Sequence, residues 1–131
     1  MKALSIRQPW AFLIIAGEKP IENRSWVSNY SGPLLIHASS SFDKAGYQWV
    51  KKNFPRLKMP TPAKYELGAI IGSVDMVGCV PYGEDYHSPW FSGPYGFLFR
   101  SSKQFDQAIP FKGQLGFFEV PDELLKLYDA A

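Results

Sequence analysis

Apolar and polar positions change period several times along the chain, and each change marks an element. Pro9 suits the first turn of a helix, Trp10, Leu13 and Ile14 then share one helical face, and Gly17 suits a left-handed stop. Ile21 to Trp26 has an extended pattern, and Val27 to Pro33 reads as a turn before an apolar strand at Leu34 to Ala38. A second helix follows, capped by Ser40 or Ser41. Its apolar stripe is Phe42, Ala45 and Trp49, with Lys44, Gln48, Lys51 and Lys52 opposite. Pro55, Pro60 and Pro62 predict a surface loop. The longest strand runs from Ala69 to Val80. Ile70, Val74, Met76 and Val80 fall on one parity and Ser73, Asp75 and Cys79 on the other, while Gly72 and Gly78 permit bulges. Tyr95 to Arg100 and Leu115 to Val120 are further strands, separated by a turn near Ser101-Ser102 and by Pro110, and Asp122 starts a last short helix. Strands interspersed with helices and Gly/Pro turns predict an α+β fold: a small, mixed, partly open β-barrel flanked by short helices.

The 131 residues are expected to form one domain, 1–131, since no repeat, linker or low-complexity stretch divides them. A single cysteine, Cys79, leaves no internal disulfide, and the first residues lack a secretory apolar region, so a cytoplasmic setting is expected. No apolar run reaches the roughly 18–20 residues of a membrane span. Net charge is only +2, but its distribution is uneven. Lys44, Lys51, Lys52, Arg56, Lys58 and Lys64 cluster with no acid until Glu66, whereas Asp122, Glu123 and Asp129 sit at the other end. A local basic cluster of this kind is the pattern that contacts phosphates.

Candidate chemistry concentrates in Gly17-Glu18-Lys19-Pro20-Ile21-Glu22-Asn23-Arg24-Ser25-Trp26, a helix end entering a strand. Strand periodicity projects Glu22, Arg24 and Trp26 to one side, with Lys19 at the turn beside them. Such a group can bind an anion, orient a base edge or tune a lysine toward general-base work. It can equally be an ion pair pinning the first helix to the sheet. The loop from Pro81 to Pro94 holds Tyr82, Tyr86, Trp90 and Phe91, rings that either stack on bases or close one end of the barrel. His37, within an apolar strand, reads as a core histidine, and Asp75 as a second carboxylate for the cleft or a structural hydrogen bond. One cysteine and two distant histidines offer no zinc spacing, so neither metal nor other cofactor is expected. Ser39 and Ser40 lack a nucleophile-elbow context.

Leu4-Ser5-Ile6-Arg7-Gln8-Pro9-Trp10-Ala11, followed by the Gly17–Trp26 segment, resembles the activating signal cointegrator homology (ASCH) domain, whose Gly-x-Lys-x-x-Glu-x-Arg signature it contains. Weaker echoes at Gly72–Asp75, Gly93–Phe97 and Pro110–Gly116 extend the resemblance over nearly the whole chain. The resemblance implies a PUA-like fold with a cleft lined by the signature, and binding of RNA or DNA, through single-stranded or terminal nucleotides, or of a nucleoside. Together with the loop rings and the basic cluster read above, the expected ligand-binding set is Arg7, Gln8, Lys19, Glu22, Arg24, Trp26, Tyr86 and Trp90, with Lys44, Lys51, Lys52, Arg56, Lys58 and Lys64 on phosphates. Some small bacterial relatives are amidohydrolases that deacylate acetylcytidine. They share the lysine at position 19 but carry a threonine nucleophile where this chain has Glu22, and a further carboxylate matched by Glu84 or Asp85. An enzymatic alternative, on acylated cytidine or as a ribonuclease, therefore has Lys19 abstracting a proton and Glu22 or Asp75 relaying it. A protein-interaction module in transcription or translation is the remaining class.

Overall fold

The computed structural model describes residues 1–83 and 85–128. Six strands, β1 (Lys2–Gln8), β2 (Ile21–Arg24), β3 (Gly32–Phe42), β4 (Ala69–Pro81), β5 (Tyr95–Pro110) and β6 (Phe117–Glu119), form one mixed sheet in the order β2-β5-β4-β3-β1-β6. Only β1 and β3 are parallel, with Ser5 opposite His37 and Ile6 opposite Ala38. The helices are short: α1 (Trp10–Ile15), α2 (Lys44–Asn53) and α3 (Asp122–Leu127), with one 3₁₀ turn at Pro62–Lys64. Among the described residues no helix is long and apolar enough to cross a membrane.

Strand alternation divides the core between the two faces of the sheet. Leu34 and Ile36 join Leu4, Ile6, Val74, Met76 and Phe97 beneath α1, while Leu35 joins Ala3, Ile70, Ile109 and Phe118 beneath α3. A third cluster, Leu13, Ile21, Val50, Trp90 and Phe91, holds α1, α2 and the loop after β4 together.

Hydrogen bonding does not close the sheet into a barrel, since β2 and β6 are its two edges. Side chains bridge the gap instead. Trp26, just beyond β2, meets Phe97 of β5 and Phe117 of β6 edge-on at 5.0 and 5.2 Å, and Arg24 of β2 donates to the Ser5 carbonyl of β1 at 2.8 Å. The two ends of the sheet therefore face each other across a seam, which makes the expected partly open barrel an open sheet bridged by Arg24 and Trp26.

Several local expectations are corrected. The N-terminal residues form β1, an interior strand whose alternation, Leu4-Ser5-Ile6-Arg7, is too short to announce it. Ser101-Ser102 is no turn. β5 runs straight through it with Ser101 at φ 56°, and Arg100 and Lys103 face Asp75 and Ser73, so the extra residue is absorbed as a bulge. Leu115 lies outside β6 and is fully exposed. Helix α2 is capped by Asp43, whose side chain accepts from Gly46 N at 2.9 Å; Ser40, Ser41 and Phe42 belong to β3. Its buried face is Gly46, Tyr47 and Val50, whereas Ala45 and Trp49 are exposed. Gly46 decides that rotation, because a Cβ there would collide with the Trp10 ring and so the glycine lets α2 approach α1 closely.

Candidate functional site

The turn after α1 brings the signature together. Gly17 adopts φ +81°, and the Glu18 and Lys19 amides both donate to the Leu13 carbonyl, at 3.0 and 3.1 Å, which folds the chain back under the helix. Lys19 is consequently only 3% exposed. Its Nζ donates to the Ile21 carbonyl at 2.5 Å and to Glu22 Oε1 at 3.1 Å, and lies 5.5 Å from the centre of the Trp10 ring. Glu22 and Arg24, two residues apart on β2, share one face. Glu22 Oε2 forms an ion pair with Arg24 Nη2 at 3.1 Å, so one carboxylate is held between two cations. Arg24 also bonds the Ser5 carbonyl, and its Nε is buried without a partner.

These residues form one wall of a cavity of about 620 Å³. Trp10, Trp49 and Trp90 form another. Trp49 stands 6.5 Å from Trp10 and 6.1 Å from Trp90, and Trp90 is stacked on Phe54 at 4.3 Å. Asn23, on the opposite parity of β2, fastens the loop that carries Trp90. Its amide donates to the Trp90 carbonyl at 2.9 Å and accepts from the Ser92 and Gly93 amides. Asp43 ties the helices to this wall, accepting from Trp10 Nε1 at 3.0 Å and pairing with Arg7 at 3.6 Å. Burial disfavours the Asp43 charge, but the Gly46 amide, the Trp10 indole and Arg7 together outweigh it and lower its pKa.

Of the ligand residues anticipated from the sequence, Arg7, Lys19, Glu22, Arg24 and Trp90 line this cavity. The others do not. Gln8 is buried beside α1, accepting from Phe12 N at 2.8 Å and donating to the Glu66 carbonyl at 3.1 Å, a structural role. Trp26 closes the seam, and Tyr86 packs edge-on against Phe91 at 5.8 Å. Asp75 pairs with Pro33 and Arg100 across the middle of the sheet, away from the cavity walls, so it is no member of a relay with Lys19. Asp85 does not line the cavity, and Glu84 lies outside the described residues. Lys44, Lys51, Lys52, Arg56, Lys58 and Lys64 are all exposed on α2 and the following segment, whose Trp49 reaches the cavity.

His37 is a core histidine. Its Nε2 is 2.6 Å from the Phe111 carbonyl, which can only accept, so that nitrogen carries the proton and Nδ1 accepts from Ser5 Oγ at 2.9 Å. Burial lowers its pKa against the opposing hydrogen bond to Phe111, which favours the neutral ring. Trp10, Trp49, Asn23 and Asp43 join the site beyond the residues expected from the sequence. Asp43 had a legible signal, an Asp three residues before Gly46 at a helix start; the two tryptophans were hidden because their spacing reads as core. No group of three metal-ligating side chains occurs among the described residues.

Residues 4–111 match the ASCH domain family. Human activating signal cointegrator 1 is 28% identical over 119 residues, which cover 84% of this chain and 20% of the human protein. Its mouse counterpart is 32% identical over 81 residues, 59% of this chain and 14% of that protein. The chain thus spans a fifth or less of the length of these relatives. The crystal structure of ASCH from Zymomonas mobilis superposes with a TM-score of 0.56 at 16% identity, covering 95% of this chain and 90% of that one. A point variant of the same bacterial protein gives 0.57 at 15% identity, with coverages of 96% and 94%. These likenesses carry the fold, a PUA-like mixed sheet with short helices. With the family match running over most of its length and the signature residues assembled in one cleft, the chain belongs to the ASCH domain family.

Proposed function

We propose that the cleft binds one nucleotide of a single-stranded or terminal stretch of nucleic acid, its base against the tryptophans and its phosphates toward Arg7 and the basic face of α2. The observation that carries this reading is Trp49: a tryptophan left 43% exposed at the cavity wall, between Trp10 and Trp90, on a helix whose solvent face holds Lys44, Lys51 and Lys52. Large aromatics are costly to leave in water and are put to use by stacking on bases. A volume of about 620 Å³ falls within the range of small-ligand sites. The charged wall is net positive, with Arg7, Lys19 and Arg24 against Glu22. The association of the ASCH family with RNA binding points the same way.

The geometry supports binding over proton abstraction. Lys19 spends its ammonium on the Ile21 carbonyl and Glu22, contacts that a lysine acting as a base would have to give up, and both Glu22 oxygens are engaged by cations. The test is titration of tryptophan fluorescence with short RNA and DNA oligonucleotides over a range of salt, for wild type and Trp49→Ala. Wild type should bind with an affinity that falls as salt rises. Loss of one stacked base, about 1–3 kcal/mol, should weaken the variant by roughly five- to 150-fold. Absence of binding at low salt, or an unchanged Trp49→Ala, would defeat the reading. Turnover of acetylcytidine that disappears in Lys19→Arg would put the enzymatic reading in its place.

A further inference from the structure

A second cavity of about 450 Å³ abuts the first, and Ser5 and Ser39 belong to the walls of both. The shared wall is part of the parallel β1–β3 pair. On the far side, three hydroxyl residues, Ser5, Ser39 and Ser40, face a loop that carries Lys112, Gln114 and Leu115. That loop is fastened closely. Gly113 packs against the Ser5–His37 pair so tightly that a Cβ would lie 2.8 Å from the His37 ring and 2.9 Å from Ser5 Oγ, which leaves Lys112 and Gln114 exposed on either side. Lys112 forms no ion pair among the described residues, and no carboxylate lines this cavity. Leu115, fully exposed, adds an apolar surface at its lip.

We infer that this second cavity is a subsite for the neighbouring nucleotide of the same strand, Lys112 taking its phosphate and the serine hydroxyls and Gln114 its sugar or base edge. The inference rests on the nucleotide-binding reading of the first cavity and goes beyond it, since it assigns the place that holds the adjoining nucleotide of the strand. Charge complementarity argues for that occupant. Across the two cavities Arg7, Lys19, Arg24 and Lys112 meet two carboxylates, Glu22 between Lys19 and Arg24 and Asp43 beside Arg7, whereas burial favours the neutral form of His37 against its bond to Phe111. The surplus positive charge thus runs from one cavity into the next, as a phosphodiester would need. Hydroxyls and a carboxamide, without a further ring, suit a sugar-phosphate better than a second stacked base.

The test compares uridine 5′-monophosphate with the tetranucleotides of uridine and thymidine, by calorimetry or fluorescence, on wild type, Lys112→Gln, Gln114→Ala and Trp49→Ala. Lys112 and Gln114 are exposed, so their variants should fold, and neither belongs to the first cavity. Wild type should bind a tetranucleotide about tenfold or more tighter than the mononucleotide. Lys112→Gln should lose most of that advantage, lower the salt slope by about one and leave mononucleotide affinity unchanged. Trp49→Ala should weaken both ligands. Equal affinities for mono- and tetranucleotide in the wild type, or a Lys112→Gln effect of the same size on both, would overturn the subsite while leaving the first cavity's role intact. If neither ligand binds, the first reading fails and the subsite with it.

Discussion

Truncation of Glu22 tests whether the charged wall of the cleft is held by its carboxylate. In the native protein Lys19 is 3% exposed and Glu22 bonds both it and Arg24 at 3.1 Å. Glu22→Ala leaves an ammonium with the Ile21 carbonyl alone, in a position that water scarcely reaches. Removing one member of a buried pair costs about 3–5 kcal/mol, because the survivor remains desolvated. Arg24 is about a fifth exposed and keeps its bond to Ser5, so most of the loss falls on Lys19 and the lower end of that range is expected. Replacing both partners by apolar residues, Lys19→Met with Glu22→Leu, removes the stranded charge and should recover much of the stability, to within about 1–2 kcal/mol of wild type. Urea unfolding of the wild type and both variants gives the comparison. A single variant less than about 1 kcal/mol weaker, or a double variant no more stable than the single one, would refute the claim that the pair is buried and coupled.

Asp43→Ala should cost about 1–2 kcal/mol, losing the cap of α2 together with the Trp10 and Arg7 contacts, whereas Asp43→Asn, which can still cap, should cost less; thermal melts decide. Burial holds His37 below its ordinary value of 6.5, so the unfolded chain takes up a proton there that the folded chain resists. Its contribution to stability is complete above that value and lost as pH falls below it. Urea midpoints measured from about pH 7.5 down to 5.5 should therefore decline in wild type and decline less in His37→Gln; equal slopes would remove His37 as the cause. Reversing Lys51 and Lys52 to Glu should weaken oligonucleotide binding across sequences and reduce its salt dependence, with stability changed by no more than about 0.5 kcal/mol. Identical salt slopes would take that face of α2 out of the interface.

How much of this was legible in the sequence depends on what kind of signal each element sends. The period-two alternation of β4 announced both the strand and its buried parity, and Gly17 announced the end of α1, because each follows from a local rule. β1 sent no such signal. It pairs on both sides, and its alternation is confined to Leu4-Ser5-Ile6-Arg7, too short a stretch beside the charged Lys2 to stand out as an interior strand. The serines at 101–102 carry a turn's composition, yet the sheet accepts them as a bulge, a choice made by pairing with β4 that no local window contains. In α2 the apolar positions alone suggested Trp49 as the buried face; the close approach allowed by Gly46 turns the helix so that Tyr47 and Val50 go inward instead.

One wall of the cleft is local in sequence and the other is not. Lys19, Glu22 and Arg24 lie within six residues of each other, so strand geometry alone was enough to bring them together. Trp26 obeys the same parity on paper, but β2 ends at Arg24, and two residues later the ring has crossed the seam to Phe117. The opposite wall is assembled from three separate segments: Trp10 starts α1, Trp49 lies on α2 and Trp90 follows the loop after β4. Their convergence depends on Asp43 and Asn23, two short polar side chains whose partners lie 33 and 67 residues away. Tryptophan spacing therefore reads as core for a physical reason: each ring is partly packed, and only the gap between the walls distinguishes a binding surface from an interior. Such a gap is a property of the assembled tertiary structure, and the residues that hold it open are the polar clamps rather than the rings they position.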